Sequence, residues 1–285
     1  MTEEEKIFDV APGEKYVDNR SRVTIFFQVL ARKFWKLISM NLLFIVFNIP
    51  SIIIAFILSG YVADAFSPII ESSSDLFGIL FVYGFPLLLF LMVIPLITVG
   101  PAQAGLTYLL RCFSYELPTF YWSDFKDKMK ENLKQGIIVC LINLAGVVLV
   151  IIDFFLYKQL SRTGTSFIIA VANGLLIVFS LIFMMIGMYI YPMMVTYELN
   201  LKNLYKNAFL FSMGRFLPNL GVLLICFILI IGPMAVVMFT GNALALLIVY
   251  IYYLILGFTL PGLVINFYIN PIIDKYLKPD PTKGS

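Results

Sequence analysis

The fold is decided by residues 94–112, which read IPLITVGPAQAGLTYLLRC. This stretch is the second half of a long hydrophobic segment, and it carries two prolines, of which Pro101 directly follows Gly100. Proline removes a backbone donor and clashes with the preceding helical turn, so the sequence predicts a bend or break at Gly100 and Pro101. Thr98 and Gln103 flank that point, and the four residues together form a candidate structural or binding motif.

The composition is that of an integral membrane protein. Of the 285 residues, 61% are hydrophobic and only 13% are charged, and the mean hydropathy is +0.94. Soluble domains have about half apolar and about a quarter charged residues. We therefore predict a single all-α membrane domain over residues 21–278, between a polar cytoplasmic tail at 1–20 and a second polar tail at 279–285.

The residue types exclude most familiar enzyme chemistries. The chain contains no histidine, which removes Ser-His and Cys-His nucleophilic sites and zinc sites of the histidine type. Its three cysteines stand singly in or beside apolar segments without C-x-x-C spacing, and we expect them to act as small hydrophobic residues. The prediction is a protein that is not an enzyme and has no catalytic residues, metal ligands or cofactor.

Six apolar segments are long enough to cross a hydrocarbon core of roughly 30 Å. They are 37–58, 76–112, 135–157, 166–199, 217–239 and a sixth that follows a turn at 240–242 and continues to about residue 276. They pair into three hairpins, whose outer loops at 60–75, 158–165 and 240–242 hold 2 of the 20 Lys and Arg residues. The positive-inside rule then places both termini in the cytoplasm, with short basic amphipathic helices on that side.

The three hairpins resemble copies of one unit. Each begins with a basic amphipathic segment, and its returning span carries a proline, which is Pro101, Pro192 or Pro261. Prolines are frequent in membrane helices, so three hairpins can look alike without a common origin. A genuine threefold repeat and a chance likeness both remain open at this point.

Polar side chains inside the spans are candidates for an intramembrane site. Asn266 and Asn270 lie one helical turn apart and could meet Gln103. The alternative is that such amides are packing contacts worth about 1 kcal/mol each. The acid Asp153 is predicted near the outer interface, so a proton relay through buried carboxylates is disfavoured.

Residues 120–134 are predicted to form a helix along the cytoplasmic membrane surface. Apolar residues recur there every three or four positions and suit the lipid interface: Trp122, Phe125, Met129 and Leu133. In one interpretation the helix is only a lipid anchor. In the other it is a docking surface for a partner protein, formed by Trp122, Lys126, Lys128 and Lys130.

Two runs in this region resemble a bacterial family. Residues 97–111, ITVGPAQAGLTYLLR, and 122–135, WSDFKDKMKENLKQ, are similar to the YesL family, a domain family of unknown function. In that family a T-[IV]-G-P-A-x-A-[AG]-[ML] signature precedes a D-F-x-x-x-[FM]-[KR]-x-[NS]-[FL]-[KR]-Q helix. The resemblance implies a multi-span protein of the bacterial plasma membrane, often encoded beside carbohydrate-import ABC systems and glycan-degrading enzymes.

Two functions follow as expectations. The first is an accessory or assembly subunit associated with carbohydrate ABC import, whose partners are membrane lipid and ABC transporter or other membrane-complex subunits. The second is a self-contained small-molecule transporter or channel with a site between proline-broken helices. Neither function involves nucleic acid.

Overall fold

The structure, a computed structural model, describes residues 20–50, 52–53, 57, 99–161 and 167–277. The predicted outer loop at 60–75, the first part of the second apolar segment, Thr98 and the C-terminal tail lie outside the described residues. The same holds for the N-terminal tail up to residue 19.

The described residues form ten α-helices and no strand, which confirms the predicted all-α class for that part of the chain. In chain order the helices are α1 Arg22–Arg32, α2 Phe34–Phe47, α3 Val99–Ser114, α4 Tyr121–Glu131, α5 Leu133–Ser161, α6 Phe167–Met194, α7 Leu201–Gly214, α8 Phe216–Thr240, α9 Ala243–Ile255 and α10 Thr259–Leu277.

Within the described residues, two helices are long and apolar enough to cross a membrane. They are Ala170–Met194 in α6 and Phe216–Thr240, which is α8. The pair α9 and α10 adds a third crossing if the two helices, which meet at a bend of 49°, are counted as one broken span. These two to three spans support association with a membrane, and the six-span arrangement stays a prediction.

Local sequence signals set several helix boundaries. The Ser21 hydroxyl accepts from the Thr24 backbone N–H at 3.1 Å and starts α1. The Asn200 side chain does the same for α7, accepting from the Asn203 N–H at 2.9 Å. The turn predicted at 240–242 is confirmed, because Gly241 adopts the left-handed conformation with φ 59° and ends α8.

Helices α3 and α5 cross with their backbones in close contact. A Cβ atom added to Gly100 would lie 2.2 Å from the carbonyl oxygen of Gly136, a distance that no real side chain tolerates. Small residues allow such approaches between membrane helices. Gly100 is thus needed for the close packing of α3 against α5.

The proline positions differ from the predicted correspondence. Pro192 lies two residues before the end of α6, whereas Pro101 lies 13 residues before the end of α3 and Pro261 lies 16 residues before the end of α10. Pro261 is in the first turn of α10, where the missing N–H costs least. The three prolines are therefore not equivalent, and they do not support the repeat. The bend predicted at Gly100 and Pro101 can be examined only on its C-terminal side, because residues 58–98 lie outside the described residues. On that side α3 continues without a break to Ser114.

Helix α3 lies at the centre of the described structure and packs against α2, α4, α5 and α10. One buried hydrophobic cluster is formed by residues of α1, α2, α3, α4 and α10, among them Leu37, Leu106 and Phe125. A second joins α6, α7 and α10 around Met185 and Ile273. Because α10 contributes to both clusters, its last turns lie where α3, α6 and α10 meet.

Candidate functional site

The C-terminal ends of α3 and α10 are joined by an ion pair between Arg111 and Asp274. The Nη2 group of Arg111 donates to both carboxylate oxygens, at 2.9 Å to Oδ1 and 3.0 Å to Oδ2. Only 17% of the Arg111 side chain and 24% of the Asp274 side chain are exposed. Removing one partner of such a shielded pair would leave the other charge without compensation.

Two tyrosine hydroxyl groups also donate hydrogen bonds to the Asp274 carboxylate. Tyr115 donates to Asp274 Oδ2 at 2.6 Å, and Tyr197 donates to Oδ1 at 2.7 Å. Burial, and the hydrogen bond to Asp274, raise the pKa of both tyrosines well above the ordinary value. The phenols therefore stay neutral donors at physiological pH. We call these two tyrosines, Arg111 and Asp274 the Asp274 network.

Two buried amides extend the network along α10. Arg111 Nη1 donates to Asn270 Oδ1 at 3.1 Å, and Asn270 Nδ2 donates to the Ser114 hydroxyl at 3.0 Å and to Asn266 Oδ1 at 3.2 Å. Asn266 and Asn270 thus share one face of α10, as predicted from their spacing. Asn270 contacts Arg111 and Ser114, whereas Asn266 donates to the Gly262 carbonyl oxygen at 2.8 Å and accepts from Asn270. Gln103 is hydrogen-bonded elsewhere, to Thr107.

Gln103 lies two turns of α3 before Arg111, which explains the difference. Its side-chain amide donates to Thr107 of the same helix at 3.5 Å. Of the predicted motif, Gly100 and Pro101 are buried, Gln103 is half-buried, and Thr98 lies outside the described residues.

Helix α1 is bound to the network by Arg22. Its guanidinium donates to the carbonyl oxygens of Ser114 at 2.9 Å and Phe267 at 3.4 Å. The same group lies over the rings of Tyr115 and Phe267, 5.2 Å and 4.9 Å from their centroids. Arg22 therefore contacts α10 and the end of α3 at once.

The corner between α3 and α4 is fixed by Glu116. This residue has φ 54°, in the left-handed region that non-glycine residues rarely adopt. Its carboxylate pairs with Arg20, at 2.8 Å, and with Arg32 at the end of α1. The two ion pairs hold the strained corner against the first amphipathic helix.

The geometry of the Asp274 network is that of a structural junction. Asp274 accepts four hydrogen bonds from Arg111 and the two tyrosines, and the ion pair is neutral overall. Among the described residues no group of three or more His, Cys, Asp or Glu side chains could hold a metal ion. The network joins α3, α10 and the segment after α6.

Helix α4 packs on protein through Phe125 and Met129, which corrects the prediction that these two residues enter the lipid interface. Phe125 is fully buried, and its ring lies 5.2 Å from that of Phe47 in α2. Its backbone approaches Gly105 of α3 so closely that a Cβ at that glycine would lie 2.8 Å from the Phe125 carbonyl oxygen. Met129 is partly buried in the same cluster, whereas Trp122 and Leu133 remain 59% and 44% exposed.

The opposite side of α4 displays charges of both signs. Lys126, Asp127, Lys130 and Glu131 are exposed, and we call these four residues the α4 outer face. Lys128 is only 27% exposed, pairs with Glu131 at 2.6 Å and lies over the Tyr108 ring at 5.1 Å. Asp124 accepts from the Phe120 backbone N–H at 2.9 Å at the start of α4.

A polar cavity of about 430 Å³ borders the α4 outer face. It is lined by Lys128, Glu131, Asn132, Gln135 and residues 194–199. The Gln135 amide donates to the Leu199 carbonyl at 2.7 Å across this boundary. A partner segment that bound the α4 outer face would therefore find a polar recess beside it.

The residues of the Asp274 network were not predicted as a site from the sequence. One signal was available, because Asn266, Asn270 and Asp274 recur every four residues and mark a single polar stripe on α10. Arg111 was counted only as a positive charge of the cytoplasmic side. For Tyr115 and Tyr197, which stand outside regular helices, no sequence pattern indicates a common target.

Comparison with known proteins gives one family match and no activity. Residues 37–154, less than half of the chain, match the family described as "Protein of unknown function, DUF624". The matched part covers most of α2, all of α3 with Arg111, α4 and most of α5, and it ends before Tyr197 and Asp274. No curated protein and no solved structure matches the chain.

Proposed function

We propose that the protein is a non-enzymatic accessory or assembly subunit of a carbohydrate ABC import system in the bacterial plasma membrane, and that the α4 outer face docks the partner. The carbohydrate importer enters through the resemblance of residues 97–111 and 122–135 to the YesL family. In this proposal the chain has six spans, with α4 and both termini in the cytoplasm.

One observation carries the proposal. Phe125 is fully buried against α2 and α3, so α4 is held by protein contacts and does not depend on lipid for its position. A helix used only as an anchor gains from an apolar face in the lipid interface. Here Phe125 and Met129, two of the four apolar residues of that face, pack inside the protein, and the charged side is left for another partner.

The charges on the α4 outer face favour a protein partner over anionic lipid. Lys126 and Lys130 would suit lipid phosphates, but Asp127 and Glu131 stand beside them and would be repelled by an anionic surface. A cytoplasmic loop with charges of both signs can pair with all four residues. We therefore expect the partner to be an importer subunit whose cytoplasmic loops carry alternating charge.

The test is affinity purification of the full-length protein from native membranes, followed by identification of the chains that co-purify. Importer subunits should co-purify with the parent, and the variant Lys126→Glu with Lys130→Glu should lose them. The matched control is Lys202→Glu with Lys206→Glu, which reverses two exposed lysines on α7 and should keep them.

Two results would overturn the proposal. The first is retention of every partner by the α4 variant while both variants remain monodisperse. The second is uptake of sugar by liposomes that contain only the purified chain, which would make the protein a transporter by itself.

A further inference from the structure

A basic groove runs between α1, α8 and α10 on the same side of the described structure as the junction of helix ends. Its volume is about 710 Å³. Three cations line it, and they come from three helices or their boundaries: Arg22, Arg215 and Lys275. The rest of the described lining is apolar or aromatic except for the Tyr268 hydroxyl, and it contains no acid.

None of the three cations has a carboxylate partner within the described part of the chain. Arg22 is held by backbone carbonyl oxygens, and its Nε group is buried without a hydrogen-bond acceptor there. Lys275 is exposed and lies over the Tyr276 ring at 5.7 Å. The groove therefore carries positive charge that its own described walls do not neutralise.

The shape of the groove matches one leaflet of a bilayer. Arg215 directly precedes α8, and Ile225 lies ten residues further along, a rise of about 15 Å. On α10, Lys275 and Val264 are separated by a similar distance of about 16 Å in the opposite chain direction. Half of a hydrocarbon core of about 30 Å is the same length.

The outer wall of the groove is apolar and open. Val23 and Phe27 of α1 are 66% and 61% exposed, and Ile225 of α8 is 49% exposed. Phe26 closes the inner side by packing edge-on against Phe267, with ring centroids 5.3 Å apart. Acyl chains could lie along these side chains while a phosphate met the cations.

We propose that this groove binds one anionic phospholipid, with its phosphate between Arg22, Arg215 and Lys275 and its acyl chains along α8 and α10. Charge decides the occupant. A zwitterionic lipid would satisfy the apolar walls, but its headgroup brings an ammonium group beside the phosphate and adds no net negative charge. An anionic headgroup supplies the net negative charge that the three cations lack. The site is distinct from the α4 outer face and does not depend on its function.

The experiment measures lipid binding to the detergent-purified full-length protein by native mass spectrometry and by thermal stabilisation. The probes are diacyl phosphatidylglycerol, diacyl phosphatidylcholine and glycerol 1-phosphate. Phosphatidylglycerol should bind at least about tenfold more tightly than phosphatidylcholine, since each cation near the headgroup contributes. Glycerol 1-phosphate should have no effect, because it cannot use the apolar walls.

Variants locate the site. Arg215→Gln with Lys275→Gln should remove the preference for phosphatidylglycerol, and Lys275→Gln alone, at an exposed position, should reduce it without disturbing the fold. The control Lys202→Gln with Lys206→Gln removes the same charge from exposed positions of α7 and should retain the preference. Phe27→Ala should weaken the binding of both lipids, because it shortens the apolar wall.

Three outcomes would overturn the proposal. Equal loss in the α7 control would show only a general attraction to basic protein. Stabilisation by glycerol 1-phosphate as large as that by the lipid would indicate a phosphate site. Binding of phosphatidylglycerol only after deletion of residues 2–15 would make the acidic N-terminal segment the natural occupant of the groove.

Discussion

Arg111 and Asp274 are 163 residues apart in the sequence, and the guanidinium of one lies 2.9 Å from the carboxylate of the other. This single pair closes α3 onto α10, the last helix of the described residues. Tyr115 and Tyr197 donate to the same carboxylate, so α10, the end of α3 and the segment after α6 converge on one side chain.

Asp274→Asn should destabilise the protein by roughly 3 kcal/mol, because it leaves the Arg111 charge shielded from water without its carboxylate. Thermal unfolding of the detergent-purified protein measures the change. Glu131→Gln, which breaks the exposed pair with Lys128, serves as the matched control and should cost less than about 1 kcal/mol. Equal effects of the two substitutions would show that the Asp274 network does not hold the helix ends together.

Gly100→Ala should disrupt the crossing of α3 and α5. The added Cβ would lie 2.2 Å from the Gly136 carbonyl oxygen, so the backbones must separate. We expect a clear fall in melting temperature and in the yield of monodisperse protein. Gly221→Ala in α8 is the control, because a Cβ there meets nothing within 4 Å and alanine is favoured in helices by up to about 1 kcal/mol. If Gly100→Ala left the melting temperature and the yield of monodisperse protein unchanged, the close crossing of α3 and α5 would be contradicted.

Phe125→Ala should loosen α4 from α2 and α3 at a cost of about 3 to 5 kcal/mol in local packing. The rate of limited trypsin digestion measures this loosening, because α4 carries Lys126, Lys128 and Lys130 as cleavage sites. Cleavage should accelerate in the variant. Trp122→Ala, at a side chain 59% exposed, should leave the digestion rate near that of the parent. If only the tryptophan variant became sensitive, α4 would be held by lipid and not by protein.

Ser123→Cys and Thr240→Cys should react with an impermeant thiol reagent from opposite sides of the membrane. Both positions are exposed, and Thr240 lies at the far end of α8, about 37 Å of helix from Phe216. The background replaces the native Cys112, Cys140 and Cys226, all of which are buried, with alanine. Labelling of both positions from the same side would refute the proposed topology.

Local features of the fold could be predicted from the sequence because they depend on neighbouring residues. The turn at Gly241 and the amphipathic helices α4 and α7 are of this kind, since caps, charges and apolar spacing act within a few positions. The burial of Phe125 could not be predicted in the same way. Its spacing is equally suitable for lipid and for protein, and only the approach of Gly105 decides between them.

The candidate site was predictable in part. The shared face of Asn266 and Asn270 follows from helical periodicity. The partners of Asn270 on α3, Arg111 and Ser114, are set by how α3 and α10 pack. A pairing across more than one hundred residues leaves no mark on the spacing within either helix. The polar stripe on α10 indicates that something is recognised there, but the stripe alone does not identify it.

Arg111 is synthesised 163 residues before Asp274, so the ion pair can form only late in the synthesis of the chain. A ribosome adds roughly 5 to 20 residues per second, so the carboxylate follows its arginine after an interval on the order of ten seconds. During that interval α3 has been made, but Arg111 near its end lacks the carboxylate with which it pairs in the described structure, Asp274 of α10. Docking of α10 onto α3 is therefore a late step in biogenesis, and the nascent chain must keep Arg111 hydrated until Asp274 arrives.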